Sequence, residues 1–267
     1  MGLSFIGLGL FDEKDISLKG LEAARACEYL FAEFYTATLS GTTVESLERL
    51  LGKPINVLVR EEVERGDRIL ELARRAEVGF LVVGDPFTAT THIELRIRAH
   101  RAGIPVSVVH GSSVYTSVPG LLGLQHYKFG RTTSLPFPEK GFFPKSPYEV
   151  IRENTARGLH TLVLLDIQAE KGRLMTANEA LEIMLALEAG EGGGVLKGER
   201  LVCVVARAGS MTPVVRAGSI ERLRHEGFGP PHHTIVVPGR LHFMEAEALV
   251  ELAGAPKEIL EDRGPGP

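Results

Sequence analysis

The residues of this chain that could do chemistry cluster first in residues 82–92, with the sequence VVGDPFTATTH. The apolar run before Gly84-Asp85-Pro86 predicts a buried strand that ends in a turn. Asp85 could accept a hydrogen bond from a ribose hydroxyl or bind a cationic ligand, although Asp also forms turns by bonding its own backbone. Thr88 adds a hydroxyl group. Because ligands of open α/β sheets bind at the carboxyl ends of strands, this stretch is a candidate ligand site.

A second candidate is the glycine turn in residues 6–10, IGLGL, which follows the first predicted strand. A dinucleotide-binding fingerprint would need a third glycine where Asp12 stands. Glu33, at the end of the second predicted strand, is the possible ribose ligand of that interpretation. Two interpretations therefore remain: a turn that faces some other ligand, or a tight turn that needs a positive φ.

The sequence contains only weak signals for a metal site or a catalytic nucleophile. The chain has nine histidines but no HExxH, and no metal site is expected. His232 and His233 are adjacent, so on a strand one would face a ligand and the other solvent. Ser112 and Ser113 lack the GxSxG context of a nucleophile, which favours hydrogen-bond donors. No pair of matched carboxylates can be recognised, so no catalytic residue is assigned.

The elements that position these residues alternate between strands and helices. Up to about residue 110 the alternation predicts parallel βαβ units and a doubly wound lobe. The small, polar and glycine-rich residues 111–123 predict a boundary. The expected fold class is therefore α/β, with two α/β lobes, residues 1–112 and residues 113–267.

Local signals refine this prediction. Capping boxes are predicted at Thr42/Glu45, Thr91/Glu94 and Thr176/Glu179, and one long helix over residues 63–76. In the second half, strands are predicted over 132–137, 160–167, 201–206 and 234–237, and helices over 147–157, 176–189, 219–225 and 243–252. The loop 137–147 is long enough to suspect a function, and the tail 261–267 is expected to fray.

Composition excludes several classes of protein. The 30 basic and 34 acidic residues give a net charge of −4, so nucleic-acid binding is not expected. No apolar run approaches the roughly 20 residues of a membrane helix. Cys27 and Cys203 have no CxxC spacing and are expected to be buried thiols in a reducing cytoplasm. The expectation is a cytoplasmic protein that does not bind membranes.

Eight ordered segments over nearly the whole chain resemble the diphthine synthase branch of the tetrapyrrole methylase superfamily. They are FIGLGL (5–10), AEFYT (32–36), GDPFTATTH (84–92), YKFG (127–130), GLHTLVLLDI (158–167), MTANEA (175–180), ARAGS (206–210) and VPGRLHFMEAEALVELAGAP (237–256). The resemblance implies S-adenosyl-L-methionine as the cofactor, bound in a cleft between two lobes, with S-adenosyl-L-homocysteine as the product. It also implies a homodimer.

The resemblance further implies which residues contact the cofactor. They are Leu10, Asp85, Thr88, Ser113, Val114, Leu165, Ile167, Ala208 and His233. Thr88 stands where relatives tolerate small apolar residues, so its backbone is the expected contact.

The family's protein substrate is elongation factor 2, whose modified histidine carries an amino group that is methylated repeatedly in diphthamide biosynthesis. A sulfonium methyl group is already activated, so neither a covalent nucleophile nor a metal is expected; the enzyme's main task is orientation. The alternatives are a tetrapyrrole-precursor methyltransferase, a nucleotide-dependent oxidoreductase, against which Asp12 argues, and a noncatalytic module that binds the elongation factor.

Overall fold

A computed structural model describes residues 1–139 and 143–261 of the chain. These residues form two compact units. The units are Met1–Ser113 with Ile167–Arg173, and Val114–Asp166 with the described residues from Leu174 onward. The domain boundary between residues 112 and 113 stays a prediction. Parts of the predicted loop 137–147 and nearly all of the predicted tail 261–267 lie outside the described residues.

The first unit is built from alternating strands and helices. In chain order they are β1 (Gly2–Gly7), α1 (Leu18–Ala26), β2 (Tyr29–Glu33), α2 (Val44–Leu51), β3 (Ile55–Leu58), α3 (Arg60–Arg65), α4 (Asp67–Ala73), β4 (Glu77–Val82), α5 (Ile93–Arg101) and β5 (Val106–Val109). The strands form one sheet in the order β3-β2-β4-β1-β5, and every pairing is parallel. The predicted parallel βαβ architecture is confirmed.

Both faces of this sheet are covered, which makes it a doubly wound sheet. Along β1, Phe5 packs in one buried cluster with residues of α3, α4 and α5, whereas Ile6 packs in another with residues of α1 and α2. Successive side chains of a strand point to opposite faces, so an apolar run such as 78–83 fills both clusters at once.

Glycines allow the strand ends of the first sheet to approach each other closely. A Cβ on Gly7 would lie 2.5 Å from the backbone nitrogen of Gly111 and 2.6 Å from the carbonyl oxygen of Gly84. A Cβ on Gly111 would lie 2.3 Å from the same oxygen. The Gly84 N–H donates to the Gly9 carbonyl at 2.6 Å, and both residues have positive φ. The tight-turn interpretation of the glycine turn therefore holds at Gly9.

Two of the three predicted capping boxes are wrong. α2 begins after Thr43, not Thr42, and the Thr43 hydroxyl accepts from the Ser46 N–H. α5 begins after His92, so Thr91 lies outside the cap position. The predicted long helix over 63–76 is divided into α3 and α4 at Gly66, which has a φ of 63°.

The second unit and the segment within it complete the element order. They are α6 (Val114–Leu122), β6 (Thr133–Leu135), α7 (Ser146–Ala156), β7 (Thr161–Leu165), β8 (Ile167–Gln168), β9 (Arg173–Leu174), α8 (Ala177–Glu191), β10 (Leu201–Ala206), β11 (Val214–Ser219), α9 (Ile220–Leu223), β12 (His233–Val237) and α10 (Phe243–Ala253). The short strands β8 and β9 pair with each other.

The sheet of the second unit has the order β11-β10-β12-β7-β6. Only its β6–β7 pairing is parallel among the described residues; β7, β12, β10 and β11 pair antiparallel. Both faces are again covered: Val204 of β10 packs in a cluster with α7, α8 and α9, and Cys203 in a cluster with α6 and α10. The α/β class is therefore right for this half too, with a different sheet.

Two elements of the second unit were missed in the sequence. The predicted boundary segment is largely helix α6, in spite of Pro119 and Gly120, because Val118 and Leu122 are buried against the second sheet. Strand β11 was not predicted; its alternation of buried Val215, exposed Arg216 and buried Ala217 follows directly on a turn. The capping box of α8 is confirmed, since Thr176 and Glu179 bond each other's backbone N–H groups.

A buried carboxylate connects three of the eight segments that carry the resemblance. The Glu245 side chain, which has no exposed surface, accepts from His160 Nε2 at 3.0 Å and from Lys128 Nζ. It also accepts from the backbone N–H groups of Gln125 at 2.9 Å and His242 at 2.8 Å. Since His160 Nδ1 accepts from the Gly239 N–H, its Nε2 carries the proton that is donated to Glu245.

These bonds hold Glu245 in its charged form. Burial by itself would raise the pKa of Glu245, but the hydrogen bonds from His160, the His242 N–H, Lys128 and the Gln125 N–H outweigh it and lower the pKa to about 2. The network therefore fixes the start of α10 to the YKFG and GLHTL segments.

Within the part of the chain that the structure describes, no helix is both long and apolar enough to cross a membrane.

We expect Gly7→Ala to destabilise the protein by about 3 kcal/mol or more, because its Cβ would overlap the Gly84 and Gly111 backbones. Gly120→Ala is the matched control: a Cβ there meets no atom within 4 Å, and helix propensity should stabilise α6 by up to about 1 kcal/mol. Urea unfolding of both variants measures the difference. Equal stabilities would contradict the close approach of the strand ends.

We expect Glu245→Gln to lower the free energy of unfolding at pH 7 by about 3 kcal/mol, because Lys128 would lose its buried partner. The folded pKa lies below the ordinary 4.5, so the charge contributes stability above pH 4.5 that is lost as the pH falls toward about 2. The variant should therefore lose less stability than the wild type between pH 5 and pH 3. Exposed Glu247→Gln is the control, and an equal acid response of all three proteins would refute the prediction.

Candidate functional site

Asp85 lies in the turn directly after β4, and its carboxylate is held from two sides. Oδ1 accepts from the Phe87 N–H at 3.1 Å and from the Thr88 hydroxyl at 3.2 Å. Oδ2 accepts from Nδ1 of His110 at 2.7 Å. Asp85 therefore does form the turn, as the simpler interpretation predicts, while one of its oxygens is directed to a second strand end.

Asp85 is a carboxylate at neutral pH. Partial burial would raise its pKa, but the hydrogen bond from His110, the Phe87 N–H and the Thr88 hydroxyl together lower it. An ionised carboxylate offers acceptors only, so Asp85 can bind a hydroxyl, an amine or a cation, but cannot donate a proton.

Thr88 is bound to the Asp85 turn by both its backbone and its side chain. Its N–H donates to the Asp85 carbonyl at 3.2 Å, and its hydroxyl donates to Oδ1. The next residue, Ala89, has a φ of 58°, and Thr90 donates its hydroxyl to the Pro86 carbonyl at 2.7 Å. The turn is therefore a rigid, internally bonded platform.

Leu10 lies in the loop after β1. Its N–H and that of Phe11 donate to Oδ2 of Asp15, at 3.1 and 2.7 Å, so the loop is shaped by a carboxylate five residues downstream. Asp15 was missed in the sequence, where the glycine turn in residues 6–10 was the signal. Because the Leu10 N–H is already bonded, its half-buried side chain and carbonyl are the groups it can offer to a ligand.

Ser113 and Val114 mark the passage from the strand β5 to the helix α6. Both are half-buried, and Val114 is the first residue of α6. Ser113 follows Val109 by four residues, so it lies in the connection that leaves the carboxyl end of β5.

The strand order brings the predicted contacts of the first unit to one edge. Leu10, Asp85 and Ser113 follow the carboxyl ends of β1, β4 and β5, which are neighbours in the order β4-β1-β5. Glu33 ends the next strand, β2, but is fully buried. It accepts from His92 Nε2 at 3.1 Å, from the Tyr35 and Thr36 N–H groups and from the Thr36 hydroxyl. The interpretation of Glu33 as a ribose ligand is therefore wrong.

The predicted contacts of the second sheet also share one edge. Leu165 ends β7, Ala208 follows β10, and His233 begins β12, which pairs antiparallel with both. His233 is opposite Ala206 in the register, so Ala208 and His233 are close in the same turn region. Ile167 begins β8, two residues after Leu165 and within the segment grouped with the first unit.

His233 is buried, and both of its ring nitrogens are used. Nδ1 accepts from the Ala177 N–H at 3.0 Å, so Nε2 carries the proton and donates to the Pro230 carbonyl at 3.1 Å. Burial lowers the pKa of His233, with a smaller contribution from the Arg207 charge, which keeps the ring neutral. A ligand could therefore contact its ring face or backbone, not a free ring nitrogen.

Arg207, which precedes Ala208, shapes this edge and was missed in the sequence. Its φ of 53° is unusual for a non-glycine residue and costs about 1–2 kcal/mol. Its Nη1 donates to the carbonyls of Phe228, at 2.8 Å, and Pro230, at 2.6 Å, and its backbone N–H donates to the His232 carbonyl. Arg207 thus connects the turn of Ala208 to the loop that holds His233.

The described residues contain no cluster of three or more His, Cys, Asp or Glu side chains that could hold a metal ion. Cys27 and Cys203 are buried and free, and burial raises the pKa of both thiols. Neither is a ready thiolate nucleophile. Among the described residues the arrangement thus offers hydrogen-bond acceptors, backbone groups and apolar side chains.

Comparison with known proteins shows which family the chain belongs to. The sequence model of the Tetrapyrrole (Corrin/Porphyrin) Methylases matches residues 2–224. A diphthine synthase of Methanothermobacter thermautotrophicus is 50% identical over 259 residues, covering 97% of this chain and 98% of the relative. A diphthine synthase of Methanosarcina mazei is 49% identical over 266 residues, covering 97% and 99%.

The fold of this chain is also similar to that of a solved diphthine synthase. A crystal structure of diphthine synthase superposes with a TM-score of 0.88 at 38% identity, covering 97% of this chain and 98% of that chain. The chain therefore belongs to the tetrapyrrole methylase family and, within it, to the diphthine synthases.

Proposed function

We propose that the chain is an S-adenosyl-L-methionine-dependent methyltransferase that successively methylates the amino group of the modified histidine of elongation factor 2. The observation that carries this proposal is the 50% identity to a diphthine synthase over nearly the full length of both chains. The resemblance supports a homodimer as the working form.

The proposed cofactor contacts are compatible with the chemistry of S-adenosyl-L-methionine. The ionised Asp85 provides an acceptor for a ribose hydroxyl or an ammonium group, while Leu10 and Val114 provide half-buried apolar surface. Ala208 is small. Both ring nitrogens of His233 are hydrogen-bonded within the protein, so its ring face is the part left to pack against the cofactor. The other proposed contacts are Thr88, Ser113, Leu165 and Ile167.

When bound, the cofactor would supply a methyl group that is already activated by its sulfonium. The residues of the chain then have to bind and orient the reactants, and orientation of this kind can contribute most of a rate acceleration. The bonded Asp85 turn and the Arg207 turn are rigid enough to do so, since each is fixed by several hydrogen bonds. Neither a thiolate nor a metal is needed for these roles.

The proposed activity is tested by incubating the protein with S-adenosyl-L-methionine and elongation factor 2 that carries the unmethylated 3-amino-3-carboxypropyl histidine. We expect the mass of the elongation factor to increase in steps of one methyl group. The same factor with an unmodified histidine is the control and should not change. Cofactor binding without any mass gain would refute the proposed substrate, and methylation of a tetrapyrrole precursor would support the alternative function.

Asp85→Ala should weaken binding of S-adenosyl-L-methionine about tenfold or more, because a charge-assisted hydrogen bond to the ligand is lost. Calorimetric titration measures the dissociation constant. Asp67→Ala is a matched control, since Asp67 is an exposed acid of the same unit that pairs with Arg98. If Asp85→Ala binds like the wild type, Asp85 only forms the turn.

A further inference from the structure

His110 has an unusual combination of exposure and fixed position. It follows β5 directly, and its side chain is 74% exposed, yet Nδ1 lies 2.7 Å from Oδ2 of Asp85, which is only 11% exposed. A single ion pair with one exposed partner contributes little to stability. The contact therefore calls for an explanation other than folding.

The hydrogen bonds of Asp85 show what His110 adds. Oδ1 receives two donors, Phe87 N–H and Thr88 Oγ1, and both belong to the turn of Asp85 itself. Oδ2 receives its donor from the end of β5, which is separated from β4 by β1 in the sheet. The turn alone fixes one oxygen, and His110 fixes the other.

The count of acceptor sites identifies the oxygen that can meet a ligand. Each carboxylate oxygen can accept about two hydrogen bonds. Both sites of Oδ1 are filled, whereas Oδ2 has accepted one bond and has one site left. The direction of this remaining site depends on where His110 holds Oδ2.

The proton on His110 is also determined by its partner. Asp85 is ionised and can only accept, so Nδ1 of His110 must carry a proton and donate it. Among the described ionisable groups, His110 and Asp85 pair with each other and with no third group. Nδ1, and not Nε2, is therefore the functional nitrogen.

We propose that His110 is a positioning residue for cofactor binding: its Nδ1–H aims the free acceptor site of Asp85 Oδ2 at a donor group of the cofactor. This inference rests on the proposed function, because it assumes that Asp85 contacts S-adenosyl-L-methionine. The donor group is a hydroxyl of the ribose or the ammonium of the methionyl part. His110 itself does not touch the reacting atoms.

Three substitutions separate the two ring nitrogens. His110→Asn places an amide N–H near the position of Nδ1, His110→Gln places it near Nε2, and His110→Ala removes both. We expect the dissociation constant of S-adenosyl-L-homocysteine to rise about five- to tenfold for Ala and Gln, and to stay within about twofold of the wild type for Asn. Thermal unfolding midpoints should be equal, since the side chain is mostly exposed.

A double-mutant cycle tests whether His110 acts through Asp85. In an Asp85→Ala background, His110→Ala should cause no further loss of affinity. Methylthioadenosine, which keeps the ribose and lacks the ammonium, identifies the donor: an equal loss for both ligands indicates the ribose, and a loss confined to S-adenosyl-L-homocysteine indicates the ammonium.

Several results would overturn the inference. His110→Ala could bind like the wild type, Asn could lose as much affinity as Ala, or the loss could persist without Asp85. A wild-type protein that binds neither ligand would instead overturn the proposed function, and the inference with it. The two failures are thus distinguishable by the wild-type titration alone.

Discussion

The first unit depends on a contact made without side chains. Because Gly7 and Gly111 have no Cβ, the carboxyl ends of β1 and β5 approach each other and the carbonyl of Gly84, which follows β4, to distances that no Cβ would allow. Because the ends are so close, the turns that leave them carry Leu10, Asp85 and His110 to one edge of the sheet. The position of the candidate ligand site at this edge therefore follows from the packing of the backbone.

In the second unit, the turns at the sheet edge are shaped by a side chain and not by close-packed glycines. Its edge is formed at antiparallel strands, and the turn after β10 adopts a positive φ at Arg207 instead of at a glycine. The strain is offset by the Arg207 side chain, which donates to two carbonyls of the facing loop. A glycine would relieve the backbone but remove these bonds, which explains how a long side chain is useful at a position where glycine is conformationally better suited.

The sequence predicted well what local patterns determine. Apolar runs located most strands of both sheets, and the Thr176/Glu179 spacing located the start of α8. Prediction from the sequence failed where contacts between residues far apart in the chain determine the local structure. Helix α6 forms because Val118 and Leu122 are buried against the second sheet, although Pro119 and Gly120 argue against a helix.

The same limit applies to the site. The resemblance placed contacts at the strand ends, and the structure brings most of them to one edge of each sheet, where they are buried or half-buried. Whether they bind the cofactor stays a prediction. The partner of Glu33 is His92, 59 residues away, and the partner of Asp85 is His110, 25 residues away. No periodicity or spacing rule connects such pairs, so neither the loss of Glu33 as a ligand nor the role of His110 could be predicted.

The Glu245 network has a consequence for the order in which the chain folds during synthesis. All five strands of the first sheet lie within residues 2–109, so that sheet can form early. Lys128 and His160, in contrast, bind a carboxylate that is synthesised about a hundred residues later. One face of the second sheet is likewise completed only when Leu249 and Ala253 of α10 pack on it. Until α10 leaves the ribosome, only α6 can cover that face, so part of its apolar surface stays exposed, and apolar surface exposed during folding promotes aggregation.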